Sequence, residues 1–400
     1  MVNFSYLSLL EIFGLLFPLL SYPYLIRILG KDVYGAVVFV QSAAAYLIIV
    51  VNFGFNVSAT KTVSENRNNI DKLSEVFSSV LTLKVGIFLI ASFVYCIWVF
   101  FCITDYRLLY FLSLGLCLQE ILFPIWFFQG VEQMKYITYV SFIARFFFLC
   151  CIFLVVRSIE DYYWIPVINS LGGFLSSVIS IYIICKRFGV RFYRVKFHKL
   201  RLYFVESVPF FASRGAAVVL ERTNTIIIGN VLGFGMVASY DLALKVINIL
   251  KTPFALTAQV LYPNVANTKN MILVKKTLYL TLGVGVISSL LLIVFSKYIV
   301  LILGGEKMLD SVSILMMLSI YLPIIGASYI LGASTLVVSG HIREYNLSVL
   351  YSFIFYLIVI AFLFLIGKIT LSTMAISYIL PEFFIAVYRY FISHKYKIFK

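Results

Sequence analysis

Six cations stand inside apolar stretches of this 400-residue chain: Lys84, Arg145, Arg214, Arg222, Lys245 and Lys251. Glu11, Glu120, Glu206, Glu221 and Asp241 are the acids placed in the same way. A charge near the middle of a bilayer-crossing helix costs about 2.5–3.5 kcal/mol on insertion scales. It persists there only where water, a counter-charge or a substrate meets it. The set leans positive. A guanidinium grips phosphate as a two-pronged fork and an ammonium binds it as a point charge, so the set suits an anionic substrate such as a pyrophosphate. The stretch 206–231 is the densest, with Glu206, Arg214, Glu221 and Arg222. Arg214, Glu221 and Thr225 follow one another at spacings of seven and four, which places them on one helical face. That face reads as the wall of a water-filled cavity. Arg214 is the first candidate for phosphate. Glu206 belongs to the cytoplasmic rim, and Arg222 points about 100° away from Glu221.

Other stretches carry polar faces of their own. Glu11 shares a face with Ser8 and Pro18, and the proline removes a backbone hydrogen bond that lipid cannot replace. Gln41, Asn52 and Asn56 lie on one face, as do Thr138, Ser141 and Arg145. Asp241, Lys245, Asn248 and Thr252 form another, with Lys251 adjacent. Lys84, Arg145, Arg214, Lys245 and Lys251 are therefore candidate substrate ligands. Glu11, Glu120, Glu221, Asp241 and Gln41 are candidate lumen or coupling groups. The structural alternatives are that Asp241 and Lys245 pair within their helix and that Lys84 extends toward the headgroups. From residue 270 onward the interior holds little charge apart from Glu382, with Arg389 counted in the C-terminal tail.

The elements that must position these groups are membrane helices. The chain is 62% hydrophobic and 12% charged, with a mean hydropathy of +1.02. A soluble core has no use for that much apolar surface. Apolar runs lie near 4–26, 34–58, 76–103, 108–128, 136–156, 162–185, 206–231, 236–262, 277–303, 311–338, 346–366 and 370–392. They are too long for the ten-residue alternating strands of a membrane barrel. The expected fold is an all-α polytopic membrane protein with twelve transmembrane helices, arranged as two six-helix halves around a central lumen. The first run carries no cleavage pattern and reads as an uncleaved span.

Nineteen Lys and Arg fall in one set of alternate connections and the C-terminal tail, against seven in the opposite set. The positive-inside rule then puts both termini in the cytoplasm. The net charge of +15 follows from this bias and from attraction to anionic headgroups, and it does not point to nucleic acid. The six cysteines form no CxxC pair and lie apart from the three histidines, so no metal site is expected. The acid-free connection 186–201 divides the chain into halves at 1–185 and 202–400. Leu29-Gly30 and Leu232-Gly233 mark the first inter-span turn of each half, and Glu11 and Arg214 precede those glycines by the same distance.

Particular strings carry a resemblance. ILGKDVYGAVVFVQS (28–42), the stretch from Asn52 to Lys84, FPIWFFQGVEQMKYITYVSFIARF (123–146) and the stretch from Glu206 to Pro263 resemble the Wzx-type polysaccharide flippases. These belong to the multidrug/oligosaccharidyl-lipid/polysaccharide superfamily. The resemblance implies a MATE-like, alternating-access transporter in the bacterial inner membrane, not an enzyme. Its substrate would be an undecaprenyl-pyrophosphate-linked oligosaccharide, such as an O-antigen repeat unit. Membrane lipids, a polysaccharide polymerase and a chain-length regulator would be its partners. No cofactor is implied beyond a coupling ion, H+ or Na+. The family's turn motif falls on Arg27, Gly30, Tyr34 and Gly35, with Arg27 either meeting a phosphate or anchoring its helix. A multidrug exporter of the same superfamily, a flippase for the peptidoglycan lipid precursor and a membrane-embedded polymerase or glycosyltransferase are the competing readings.

Overall fold

The computed structural model describes the backbone of residues 2–399 and the side chains of residue 6 and residues 9–399. Ser8 thus lies outside the described side chains. The described chain is helical throughout, without strands. It divides into two compact units, residues 1–226 and 227–400.

The first unit opens with α1 (Val2–Asn52), α2 (Phe55–Glu65) and α3 (Ile70–Cys102). It continues through three short helices, α4 (Arg107–Ser113), α5 (Leu116–Leu122) and α6 (Ile125–Gly130), then α7 (Met134–Val155) and α8 (Trp164–Phe188). Helix α9 (Phe197–Leu232) belongs to it over most of its length. The second unit holds α10 (Phe234–Thr268), α11 (Met271–Gly304), α12 (Asp310–Ser319), α13 (Tyr321–Tyr329), a π-helical segment Ile330–Val337, α14 (Ile342–Ile366) and α15 (Leu371–Lys395).

Among the described residues, nine helical runs are long and apolar enough to cross a membrane. The first of them, Leu9–Glu65, covers two of the expected spans. It breaks at Gly30, with φ 74° and ψ 173°, and again at Phe53 and Gly54, both in the left-handed region. The two charge-bearing helices α9 and α10 stand outside the nine. The protein is a multi-pass membrane protein. Its exposed surface is itself apolar along α3 and α11, where Leu89, Ile90, Phe93, Leu280 and Val294 all face outward. That is the surface a helix presents to acyl chains.

The expected fourth span, 108–128, is not one continuous helix. It is interrupted around Leu114–Gly115 and at Phe123–Pro124, where the proline cannot supply the next backbone donor. The middle piece, α5, packs on α8 and also meets α1 and α3. The break therefore lets Gln119 and Glu120 be carried on a short helix in the middle of the unit.

In the second unit, α11 packs on α13, α14 on α15, and α10 on α12. The π segment leaves its mark in the hydrogen bonds that follow it. The Val338 amide donates to the Ala333 carbonyl at 3.3 Å and the His341 amide to Leu336 at 2.8 Å, five residues back in each case.

Candidate functional site

The first polar cluster assembles on Glu120. Its Oε1 accepts hydrogen bonds from Lys84 Nζ at 2.9 Å, Asn52 Nδ2 at 2.5 Å and Asn56 Nδ2 at 3.3 Å. Lys84 also donates to the Glu120 carbonyl at 2.8 Å. The Lys84 side chain is 1% exposed, so the ammonium does not extend to the headgroups. Asn52 is oriented by the Gly54 amide, which donates to its Oδ1 at 3.2 Å. The spacing of Asn52 and Asn56 placed them on one face of a straight helix. The chain instead bends between them at Phe53–Gly54, and both still converge on one carboxylate. Gln41 is half-buried on α1, well before that bend.

The second cluster lies where α7 meets α1. The Thr138 hydroxyl donates to the Tyr6 carbonyl at 2.8 Å, and Arg145 Nη1 donates to the Leu10 carbonyl at 2.9 Å. Arg145 thus reaches the backbone turn beside Glu11, whose charge it feels. Glu11 itself is exposed. The stripe read from the sequence on 138–145 is the face that holds α7 to α1.

Helix α9 carries Arg214, Glu221 and Arg222 on its exposed surface, while Asn224 and Thr225 are buried. Its link to α1 is a hydrogen bond between the Tyr46 and Thr223 hydroxyls at 2.7 Å. Arg27, three residues before the break at Gly30, is exposed.

In the second unit, Asp241 and Lys245 form an ion pair along α10. The neighbouring Thr252 hydroxyl donates to the Asn248 carbonyl at 2.9 Å. Lys251 lies within electrostatic reach of Glu382 on α15.

Arg389 departs from the sequence reading, which left it in the cytoplasmic tail. It is buried, 5% exposed, because α15 continues to Lys395. Nε donates to the Ser348 hydroxyl at 3.0 Å, and Nη1 donates to the Ser328 carbonyl at 2.8 Å and to its hydroxyl at 3.2 Å. The guanidinium also lies 4.7 Å from the Tyr345 ring centroid. The interior beyond residue 270 is therefore charged at this place. The signal was present in the sequence: Arg389 follows Glu382 by seven residues, two turns along one face, and the apolar pattern runs on past it.

The structure thus groups Lys84 with Glu120, Arg145 with the Glu11 turn, and Asp241 with Lys245. Arg214, Glu221, Arg27 and Gln41 take part in none of these groupings.

Comparison with known proteins agrees with this architecture. The family model described as "Polysaccharide biosynthesis protein" matches residues 1–269. A relative from Escherichia coli (strain K12), named "Putative O-antigen transporter", is 25% identical over 353 residues, 86% of this chain and 85% of the relative. Among solved structures, a lipid II flippase, MurJ, in an inward closed conformation superposes with a TM-score of 0.78 at 17% identity, over 100% of this chain and 89% of the other. An inward-facing multidrug resistance MATE family transporter of the MOP superfamily follows with a TM-score of 0.69 at 11% identity, over 95% and 97%. These two likenesses show the fold: that of a MurJ- and MATE-like transporter.

Proposed function

The chain belongs to the polysaccharide biosynthesis protein family, and we propose that it moves a lipid-linked oligosaccharide across the bacterial inner membrane. The substrate on this reading is an undecaprenyl-pyrophosphate-linked repeat unit of O-antigen or a similar polysaccharide. It passes from the cytoplasmic to the periplasmic leaflet by alternating access, through twelve spans with both termini in the cytoplasm. The chain acts as a transporter, not an enzyme.

The observation that carries this reading is the buried ammonium of Lys84, held inside a membrane-crossing unit by a single carboxylate. An ion pair so placed costs desolvation at both ends, and a hydrophobic pair would hold α3 to α5 as well. Its use lies in exchange. A pyrophosphate oxygen offers Lys84 an alternative acceptor, and the polyprenyl tail stays in lipid while the sugar occupies the polar interior. Arg214, exposed on α9, supplies the fork that an ammonium lacks. Arg145 and Arg27 are the further candidate cations of the first unit, and Lys245 and Lys251 those of the second.

Exchange leaves Glu120 without its counter-charge, so Glu120 must then take up a cation, a proton being the smallest. Asn56 Oδ1 is buried without a hydrogen-bond partner among the described residues; Asn56 Nδ2 faces Glu120, so a flip of this amide would turn Oδ1 toward a proton on Glu120. That is the basis for placing ion coupling at Glu120, ahead of Glu11, Glu221 and Asp241.

The test is complementation of a strain lacking the gene, scored by the lipopolysaccharide ladder and by lipid-linked repeat units facing the cytoplasm. Arg214→Ala is expected to abolish the ladder while the protein is still made and the repeat units accumulate. A wild-type ladder from this variant would remove Arg214 from the substrate path. Loss of the ladder without such accumulation would argue against flipping.

A further inference from the structure

The chain between α8 and α9 is held as a strap on the first unit. Gly189 ends α8 in the left-handed region, with φ 69°, and Val190 turns inward, 1% exposed. The Arg191 amide donates to the Ser74 hydroxyl at 3.0 Å and the Tyr193 amide to the Ser78 hydroxyl at 3.1 Å. The Ser78 hydroxyl in turn donates to the Arg191 carbonyl at 3.4 Å. Further on, Lys199 pairs with Glu75, and the Tyr203 hydroxyl donates to the same carboxylate at 3.0 Å. Lys72 completes that cluster at 2.7 Å. Val190 and Tyr203 belong to the same core as Val76, Phe77 and Trp126. The backbone of the strap is held at Arg191 and Tyr193, which sets the face from which its side chains leave.

What it presents outward is mixed in a particular way. Phe192, Tyr193, Phe197 and Leu202 are exposed, Phe197 to 81%. Interleaved with them, Lys186, Arg187, Arg191, Arg194, Lys196 and Arg201 are exposed. No acid occurs from 186 to 205, and Glu75, the carboxylate beneath the strap, is already matched by Lys72 and Lys199. The strap also sits at a definite level. It begins directly after an apolar run that ends at Cys185 and lies beside the first turns of α3, where another apolar run starts. Aromatic rings belong at the boundary of headgroups and acyl chains, and clustered Lys and Arg there attract anionic headgroups.

The geometry points to residues 186–202 as a preformed docking surface for anionic phospholipid headgroups of the leaflet in which the strap lies. The aromatics enter the interface and the cations contact phosphates. This proposal does not rest on the transport reading.

The test is hydrogen exchange of the full chain in bilayer nanodiscs, one set of phosphatidylcholine alone and one with a third of the lipid replaced by phosphatidylglycerol. The amides of 186–202 are expected to exchange about tenfold more slowly or better in the anionic discs, and high salt should erase the difference. The triple variant Arg191→Gln, Arg194→Gln, Lys196→Gln should lose the response while α3 and α8 stay protected. The double variant Lys275→Gln, Lys276→Gln, with two exposed cations on another helix, should keep it. Equal exchange in the two lipids would overturn the proposal, as would a triple variant that responds like the parent. Loss of protection throughout the triple variant would mean a folding defect, and the single variant Arg194→Gln would then be required to show a weakened response.

Discussion

Arg389 holds three helices at once through Ser328 on α13, Ser348 and Tyr345 on α14, and its own place on α15. The contact at Ser328 is a backbone carbonyl immediately ahead of the π segment, where helical hydrogen bonding is looser and a side chain can enter the ladder. Gly332 completes the fit. A Cβ there would stand 2.8 Å from Arg389 Nη1, so the guanidinium occupies the space that any side chain would need. Arg389→Ala leaves Ser328 and Ser348 without their charged donor and opens a hole among packed helices. It is expected to lower stability by about 1–3 kcal/mol, read as a lower midpoint of thermal unfolding in detergent. Arg389→Lys retains the charge without the fork and should fall between the alanine variant and the parent. An unchanged midpoint for the alanine variant would mean that the clamp holds nothing.

Gly30 and Gly233 act at the scale of elements. The first turns α1 with φ 74° and ψ 173°, and the second opens α10 with φ 90° and ψ 167°. This is a region of backbone space that is essentially reserved for glycine. Neither has an atom within 4 Å of where a Cβ would stand, so conformation and not crowding demands glycine there. Gly305 shares the conformation, so this backbone state also occurs outside the two matched turns. The next helix of each half adds to the parallel. Asn69 caps α3 by accepting from the Lys72 amide, and Asn270 caps α11 by accepting from the Leu273 amide, both at 3.0 Å. Gly30→Ala and Gly233→Ala should each cost about 1–3 kcal/mol, whereas Gly86→Ala, on an exposed and open stretch of α3, should be neutral or slightly stabilising. Thermal midpoints of the three variants in one detergent decide it, and equal values would refute the strain argument. These turns were legible in the sequence because only glycine supports them, and most long helices were legible from unbroken apolar runs. The division of 108–128 into three pieces was not. Pro124 alone is compatible with a kinked continuous span, and what separates the pieces is packing against α8, α1 and α3. The same limit applies at the site. Periodicity puts Lys84 and Glu120 inside spans, but only the tertiary arrangement of α5 brings them within 2.9 Å of each other.

For the whole molecule, the proposed transport reading makes the Lys84–Glu120 pair the link between substrate binding and the cation that would replace Lys84. In the resting arrangement the two charges cancel, and Asn52 and Asn56 help hold the carboxylate. When a phosphate oxygen takes Lys84, the cluster gains a negative charge unless Glu120 is neutralised. On that reading, uptake of one cation per substrate would be a condition of occupancy, and its release would restore the ion pair and displace the phosphate. Glu120→Gln removes that condition. Lys84 then keeps only neutral acceptors, so the variant should hold the pyrophosphate more tightly and release it more slowly. Translocation should become slower and indifferent to an imposed ion gradient. The measurement is flipping of a short-chain lipid pyrophosphate-sugar in proteoliposomes, with a pH gradient or a Na+ gradient imposed separately. The parent should respond to one of the two, which identifies the ion, and Glu120→Gln to neither. Glu11→Gln, Glu221→Gln and Asp241→Asn serve as controls that should keep the response. If Glu120→Gln responds like the parent while one of these does not, the coupling group lies at that carboxylate, and the Lys84–Glu120 pair is only a brace between α3 and α5.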